Sequence, residues 1–531
     1  RLVLGYLPLT FSRRHGDPSR PWNKFAIRVR DAAGRRVVSY EGNWRDIFQN
    51  WEALLPSCPA YAGSMIATFL SAMTPDGYNP YRISRAGIDW ERPEADNPWS
   101  HIGYWGDHQV VYLLRLLEAA QAHDPQWLAQ HWNQALFSLA DVPYRLKPHD
   151  AQTAQPKHTI SFDTAADQRA HARAAQLGSD GLLVCDDQGQ PVLATLAEKL
   201  AIILLAKAGS LVPGGGLWLH TQRPEWNDAN NALVGNGLSV VTLAHLRRLL
   251  CLLLALPAAA DGFALSAATL QALQALLALL RQTPQAAADD PLARRQFLDS
   301  AGRLLDPWRA SGYAGADGRY PAGQRALAPA GLMIDLAGAL LPLVDATLQR
   351  ARRPDGLFHS YNLVDLRGGR AEVSTLYPML EGQVALLSSG LLGPAEAVAL
   401  LDALFASPLY CPRRHSFLLY PDRPLAGFLQ RNRLDADALA LPVVQQLLAD
   451  RRTDLLQQQS DGTVRFAPDL ANRDDLEAAG ADLGPALAPL ADAYERVLQH
   501  HQFTGRSGTM FGYEGLGCIY WHMVAKLLLA V

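Results

Sequence analysis

Gln222-Arg223-Pro224-Glu225-Trp226-Asn227-Asp228-Ala229-Asn230-Asn231 lies between two apolar runs, one around Leu200 to Leu211 and the other from Leu238 to Leu256. Two acids, four amides and an indole thus sit where two helix-like stretches meet. Packing between buried helices has no use for such a cluster. An indole covers the apolar face of a pyranose, while carboxylates and amides fix its hydroxyls and move protons. The unit is helix, chemically loaded connector, helix, and the connector reads as the heart of a carbohydrate site.

The same helical spacing recurs along the chain, at Ile47–Leu55, Val110–Ala122, Leu193–Ala208, Ala267–Arg281, Pro291–Leu305 and Gly331–Leu348. It continues at Met379–Leu392, Pro394–Phe405, Ala436–Ala449, Ala486–Leu498 and Leu516–Leu529. Connectors such as Val212-Pro213-Gly214-Gly215-Gly216 and Gly390-Leu391-Leu392-Gly393-Pro394 separate them. No fixed period links the runs, which argues against an armadillo-type solenoid. Paired helices with polar and aromatic residues in the connectors predict a mainly α fold, an (α/α)6 toroid whose funnel is lined by loops at one end. A helical array without a funnel is the other architecture that this pattern allows.

Two segments depart from it. Residues 1–40 read as β: Phe25 to Val29 alternates, Asp31-Ala32-Ala33-Gly34 is a hairpin-type turn, and Val37-Val38-Ser39-Tyr40 returns. They predict a short N-terminal β segment, either the end of a β-sandwich or a β cap, ahead of a catalytic domain over 41–531. Residues 141–192 are polar, with strand-like Thr159-Ile160-Ser161-Phe162 and a turn at Asp186-Asp187-Gln188-Gly189. They predict a partly β insertion over the funnel. Arg1-Leu2-Val3-Leu4 enters this β sequence with no initiating Met and no signal-peptide pattern, so a longer parent chain is expected.

Composition narrows the function. A formal net charge of -3 offers no electrostatic footprint for nucleic acid, and no polybasic run addresses anionic lipid. The most apolar run carries His245, Arg247 and Arg248, which would cost a membrane span several kcal/mol. Cys58, Cys185, Cys251, Cys411 and Cys518 are odd in number and far apart, with no Cys-x-x-Cys spacing. That predicts a reducing, cytoplasmic setting, with neither a disulfide framework nor a zinc site.

Further constellations precede other helices. Trp44, Arg45, Asp46, Gln49 and Asn50 open the first long one, where a guanidinium fork and a carboxylate can clamp adjacent hydroxyls. The bland alternative is an Asp at a helix start paired with its neighbour Arg. Trp99, Tyr104, Trp105, Asp107 and His108 form an aromatic-rich connector suited to stacking, and no second His at helical spacing makes Asp107-His108 a metal site. Thr504, Gly505, Arg506, Ser507 and Gly508 make a Gly-rich anion nest before the last helix, or a plain flexible loop. Glu514 follows it, flanked by glycines. Glu381, in Tyr377-Pro378-Met379-Leu380-Glu381-Gly382-Gln383, and the cluster Arg413-Arg414-His415-Ser416 can line a funnel or simply pair on a surface.

Three of these motifs together resemble the inverting glycoside phosphorylases of the cellobiose and chitobiose phosphorylase type. Glu225-Trp226-Asn227-Asp228 is similar to that family's Asp-Trp-Asn-Asp, whose last Asp is the general acid; the resemblance gives that role to Asp228. Arg45-Asp46-Ile47-Phe48-Gln49-Asn50 is similar to its sugar-binding Arg-Asp-x-x-Gln-Asp, and Thr504-Gly505-Arg506-Ser507-Gly508-Thr509-Met510-Phe511 to its phosphate loop. The family's fold is an (α/α)6 domain preceded by a β-sandwich, and it implies inorganic phosphate as co-substrate, no other cofactor, and a homodimer. Glu225 and Asn50 both depart from the family pattern. Three readings follow: phosphorolysis of an oligosaccharide with Asp228 as acid; inverting hydrolysis, with Glu514 or Glu381 as base for water; and a carbohydrate-binding module without catalysis.

Overall fold

The computed structural model describes residues 30–35, 41–80, 82–84, 87–90, 92–93, 109–186, 188–220, 233, 235–256, 262–313, 324–422, 427–498 and 519–531. The protein is mainly helical: among the described residues 56% are in helices against 13% in strands. It divides into two compact units, and the described part of the smaller one is Asp422 and 427–498.

In the larger unit the helices form where the apolar period and a capping residue coincide. They include α1 (Trp44–Leu54), α2 (Ala62–Ser71), α3 (Gln109–His123), α4 (Leu196–Ala208) and α5 (Val240–Leu254). After these come α6 (Ala267–Gln282), α7 (Pro291–Ser311), α8 (Leu332–Arg350), α9 (Leu380–Ser388) and α10 (Trp521–Ala530). Thr195, Ser239, Ser266 and Asp290 each accept a bond from an otherwise orphaned N–H in the first turn of the helix that follows. In α1 the buried stripe is Trp44, Ile47, Phe48 and Trp51, the i, i+3, i+4, i+7 spacing of a core-facing helix. Leu336, Leu340 and Val344 of α8 are fully buried, and that helix packs on α5 and α6, so its long apolar run is core.

A five-stranded antiparallel sheet crosses this unit in the order β5-β4-β3-β2-β1, with β1 Leu211–Val212, β2 Gly216–Trp218, β3 Gly237–Ser239, β4 Tyr361–Asp365 and β5 Glu372–Thr375. It accounts for one departure from the periodicity. Leu238 was expected to start the helix that now begins at Val240, because Gly237–Ser239 is paired as a strand on both sides. The run expected over Met379–Leu392 stops at Ser388, and Gly390 takes a positive φ of 74° just beyond it.

The segment 141–192 contains the antiparallel pair Tyr144–Leu146 and Ile160–Phe162 and the helix Thr164–Leu177. Asp186 and Gly189 close a turn there, and Asp31 and Gly34 close another near the N-terminus.

The smaller unit has its own apolar core, from Leu434 through Val444, Leu455, Phe466 and Leu476 to Leu490 and Tyr494. A two-stranded sheet, Leu456–Gln458 with Val464–Phe466, packs with its helices. Two runs counted toward the toroid belong to this unit. One of them, Ala436–Ala449, is broken into Ala436–Leu439 and Pro442–Ala449, since Pro442 has no N–H to continue a helix and holds Leu441 extended.

Helix α4 is buried along its whole length and takes Lys199 with it, at 0% exposure. Nζ donates to the Ser138 carbonyl at 2.6 Å. Burial brings this ammonium down to about 7, although the Glu198 charge works the other way. The unfolded chain therefore binds the extra proton between about 7 and 10.5, and stability gains with rising pH across that window. Lys199→Met is expected to raise the melting temperature, by an amount worth on the order of a few kcal/mol below pH 7 that shrinks toward zero as pH rises. Melting curves of both proteins across pH check this; a gain independent of pH would refute it.

Candidate active site

Four helices of the larger unit run parallel and start at one end. Phe48 and Tyr112, near the starts of α1 and α3, have ring centroids 4.6 Å apart; deeper in, Arg115 Nε meets Glu52 at 3.0 Å. Between α3 and α5, Arg248 Nη2 reaches Glu118 at 2.6 Å, and Arg115 lies close enough to His245 to act on its charge. Between α5 and α9, Ser239 pairs across the sheet with Tyr361, whose hydroxyl donates to Glu381 at 2.7 Å. Further along, Arg247 Nη1 donates to the Ser389 carbonyl at 2.8 Å. Helix α10 packs on α9, and its Lys526 pairs with Glu52 of α1, so the succession returns to its first member. Burial works to raise the Glu52 carboxyl, but Lys526 and then Arg115 outweigh it and leave it below its ordinary value.

The connectors entering these helices are the ones singled out by sequence. Residues 99–108 lead to α3, 222–231 to β3 and α5, 377–379 to α9, and 504–515 to α10. Trp105, Asp107, Glu225, Trp226, Asn227, Asp228, Thr504, Gly505, Arg506, Ser507, Gly508 and Glu514 lie outside the described residues. Arg45, Asp46, Gln49 and Asn50 are in α1, and their side chains also lie outside the description. Trp44 is 1% exposed and packs edge-on against Phe69 at 5.0 Å, so its ring faces the core and not a ligand. Arg413 and Arg414 are exposed, and Ser416 is buried in a two-residue strand. Among the described residues no group of His, Cys, Asp and Glu is placed to hold a metal ion.

The described residues on either side of the signature connector are firmly held. Its flanks are the adjacent antiparallel strands β2 and β3, and Leu219 N–H donates to the Gly237 carbonyl at 2.9 Å. The Trp218 indole N–H donates to the Gly235 carbonyl at 2.8 Å, and Val364 N–H donates to that of Asn236 at 2.8 Å. Gly235 has a φ of 80°, and a Cβ there would stand 2.8 Å from the Lys157 backbone nitrogen, so only glycine fits. On the entering side His220 is buried, and its ring Nε2 lies 3.0 Å from the Ser210 hydroxyl. That hydroxyl gives its proton to the Ala206 carbonyl at 2.9 Å, so Nε2 must carry the hydrogen. Burial first, then Arg309 and Lys207, hold the imidazole well below its ordinary value, which keeps it neutral.

Glu381 occupies the first turn of α9 and is 8% exposed. Its surroundings are locked. Gln383 bonds both backbone groups of Phe358, accepting from the N–H at 2.9 Å and donating to the carbonyl at 2.8 Å. Ser360 Oγ donates to the Met379 carbonyl and accepts from Gly382 N–H at 2.8 Å. A Cβ on Gly382 would meet Ser360 Oγ at 2.4 Å, so the helix can lie this close to β4 only with glycine. Burial, and after it the Glu381 charge, holds the Tyr361 phenol well above its ordinary value, so it stays a donor. Tyr361, Gln383, Trp218 and His220 were not legible as site-forming residues. Phe358-His359-Ser360-Tyr361-Asn362 reads as ordinary strand sequence, and only the pairing with Ser239 shows its place.

A family model described as GH149 phosphorylase insertion domain 2 matches residues 425–501, the stretch that builds the smaller unit. No curated protein matches the chain. The match relates the chain to glycoside phosphorylases through this domain, and the chain is an enzyme of the glycoside phosphorylase or glycoside hydrolase kind.

Proposed function

We propose that this chain cleaves a glycosidic bond of an oligosaccharide by phosphorolysis, with inversion, at the end where α1, α3, α5 and α9 start. The observation that carries the reading is the parallel set of helix starts, each entered from a connector or opened by a motif that sequence had marked as sugar- or acid-bearing. The match to a phosphorylase insertion domain supports the choice of reaction class. The succession of helices that returns from α10 to α1 has five members, and we read it as part of the six-membered inner ring of an (α/α)6 toroid.

In this reading Asp228 gives its proton to the glycosidic oxygen as the bond from the anomeric carbon breaks. A phosphate oxygen forms the new bond from the opposite face, yielding the inverted sugar 1-phosphate. Thr504, Gly505, Arg506, Ser507 and Gly508 hold phosphate through backbone N–H groups and the guanidinium. Arg45, Asp46, Gln49 and Asn50, with Trp105, Asp107, Glu225, Trp226 and Asn227, hold the sugar. Phosphate is already a nucleophile at neutral pH, so the step needs no protein base. The hydrolytic alternative needs one, Glu514 or Glu381, with carboxyl groups about 6.5–9.5 Å apart.

The test is a panel of disaccharides and β-glucans incubated with and without phosphate, scoring free sugar and sugar 1-phosphate separately. Turnover is expected only with phosphate, and the product as the inverted anomer by NMR. An undiminished rate in phosphate-free buffer rules phosphorolysis out in favour of hydrolysis. Binding without turnover on every substrate points to a non-catalytic module.

A further inference from the structure

The Glu381–Tyr361 pair joins the starts of two helices at the proposed active end, and phosphorolysis leaves it without the role of base. We infer that Glu381 is a sugar-binding residue, its carboxylate accepting from hydroxyls of the oligosaccharide, and that Tyr361 is the positioning residue that aims it. The inference rests on the phosphorolysis reading and assigns this carboxylate work within it.

Two observations and one physical argument carry it. The first is place: Glu381 lies in the first turn of α9, and Tyr361 pairs with Ser239, the residue that ends the strand leaving the signature connector and caps α5. The second is rigidity. The carboxylate is fixed by the phenol at 2.7 Å, and the turn carrying it is fixed by Gln383, Ser360 and Gly382. An acceptor that must discriminate hydroxyl positions needs such a frame, because a loose one loses the orientation that gives specificity. The third is electrostatic. A carboxylate beside the path of an incoming phosphate would repel it, the more so in a site that excludes water. The inference therefore places this carboxylate on the sugar side, where carboxylates accept from hydroxyls at charge-assisted strength.

The test compares Glu381→Gln and Tyr361→Phe with the parent enzyme in steady-state phosphorolysis, varying oligosaccharide and phosphate separately. Glu381→Gln is expected to raise the oligosaccharide KM about ten-fold or more, while kcat and the phosphate KM change far less. Tyr361→Phe keeps the ring and removes only the donor, and a smaller rise of about three-fold to ten-fold in the same KM is expected. A merely structural role would lower melting temperature and move all parameters together. An unchanged oligosaccharide KM in both variants overturns the inference, as does a collapse of kcat at unchanged KM, which would put Glu381 in the chemical step. If Glu381→Gln does not fold, Tyr361→Phe alone decides by the same split. Failure of the underlying reading looks different: the parent enzyme would then turn over without phosphate.

Discussion

Asp228→Asn is expected to lower turnover of a natural oligosaccharide by about 10²–10⁴-fold, the usual worth of a positioned general acid. The amide has the size of the carboxyl but no proton to give, so the leaving alkoxide must depart unprotonated. The oligosaccharide KM should move little, because binding falls to the other residues of the connectors. A substrate whose leaving group needs no proton, such as an aryl glycoside with an acidic phenol, should lose much less. The measurement is kcat on both substrate types with phosphate at saturation. Equal loss on the two would remove Asp228 from the acid role and leave it a binding residue.

Trp218→Ala is expected to cost about 3–5 kcal/mol of stability, the range for emptying a buried aromatic site. Trp218 is 2% exposed and packs in a cluster with Leu238, Leu298 and Val364. Its indole N–H also holds the Gly235 carbonyl, at the exit of the signature connector. Activity should therefore fall beyond what the folded fraction explains. Trp218→Phe separates the two contributions, since it keeps most of the ring and removes the bond to Gly235. Denaturant unfolding together with kcat on the folded protein checks both. If Trp218→Phe lowers stability but leaves kcat at the parent value, that bond has no part in holding the connector.

Much of the helical layout was legible because it is local. The expected Ala267–Arg281 is α6, Ala267–Gln282, and the expected Pro394–Phe405 matches to the residue. In α6 the apolar period and the Ser266 cap lie within a few residues of each other, so neighbouring side chains are enough to place the ends. Legibility was poorer where a strand competes with a helix. Leu238 fits the apolar run of α5, and only pairing with β2 and β4 assigns it to the sheet. Trp44 shows the same limit. It stood among the sugar-binding candidates with Arg45 and Asp46, but its place in the i, i+3, i+4, i+7 stripe turns its indole toward Phe69.

Of the candidate site, residue types and order along the chain could be read, and so could Glu381 as a carboxylate of interest. Tyr361 as its partner could not, nor could the Glu52–Lys526 pair that brings the last helix back to the first. Sequence by itself determined the helix-rich class, the approximate placing of most helices and the acid-, amide- and aromatic-bearing connectors between them, since these follow from spacing, caps and side-chain chemistry within one or two turns. Tertiary structure alone decided that four of those helices run parallel with their starts together, and that 427–498 packs as its own unit. The reason is register: contacts such as Glu52 with Lys526 join residues far apart in the chain, and their pairing is set by how whole elements pack, which no local pattern encodes.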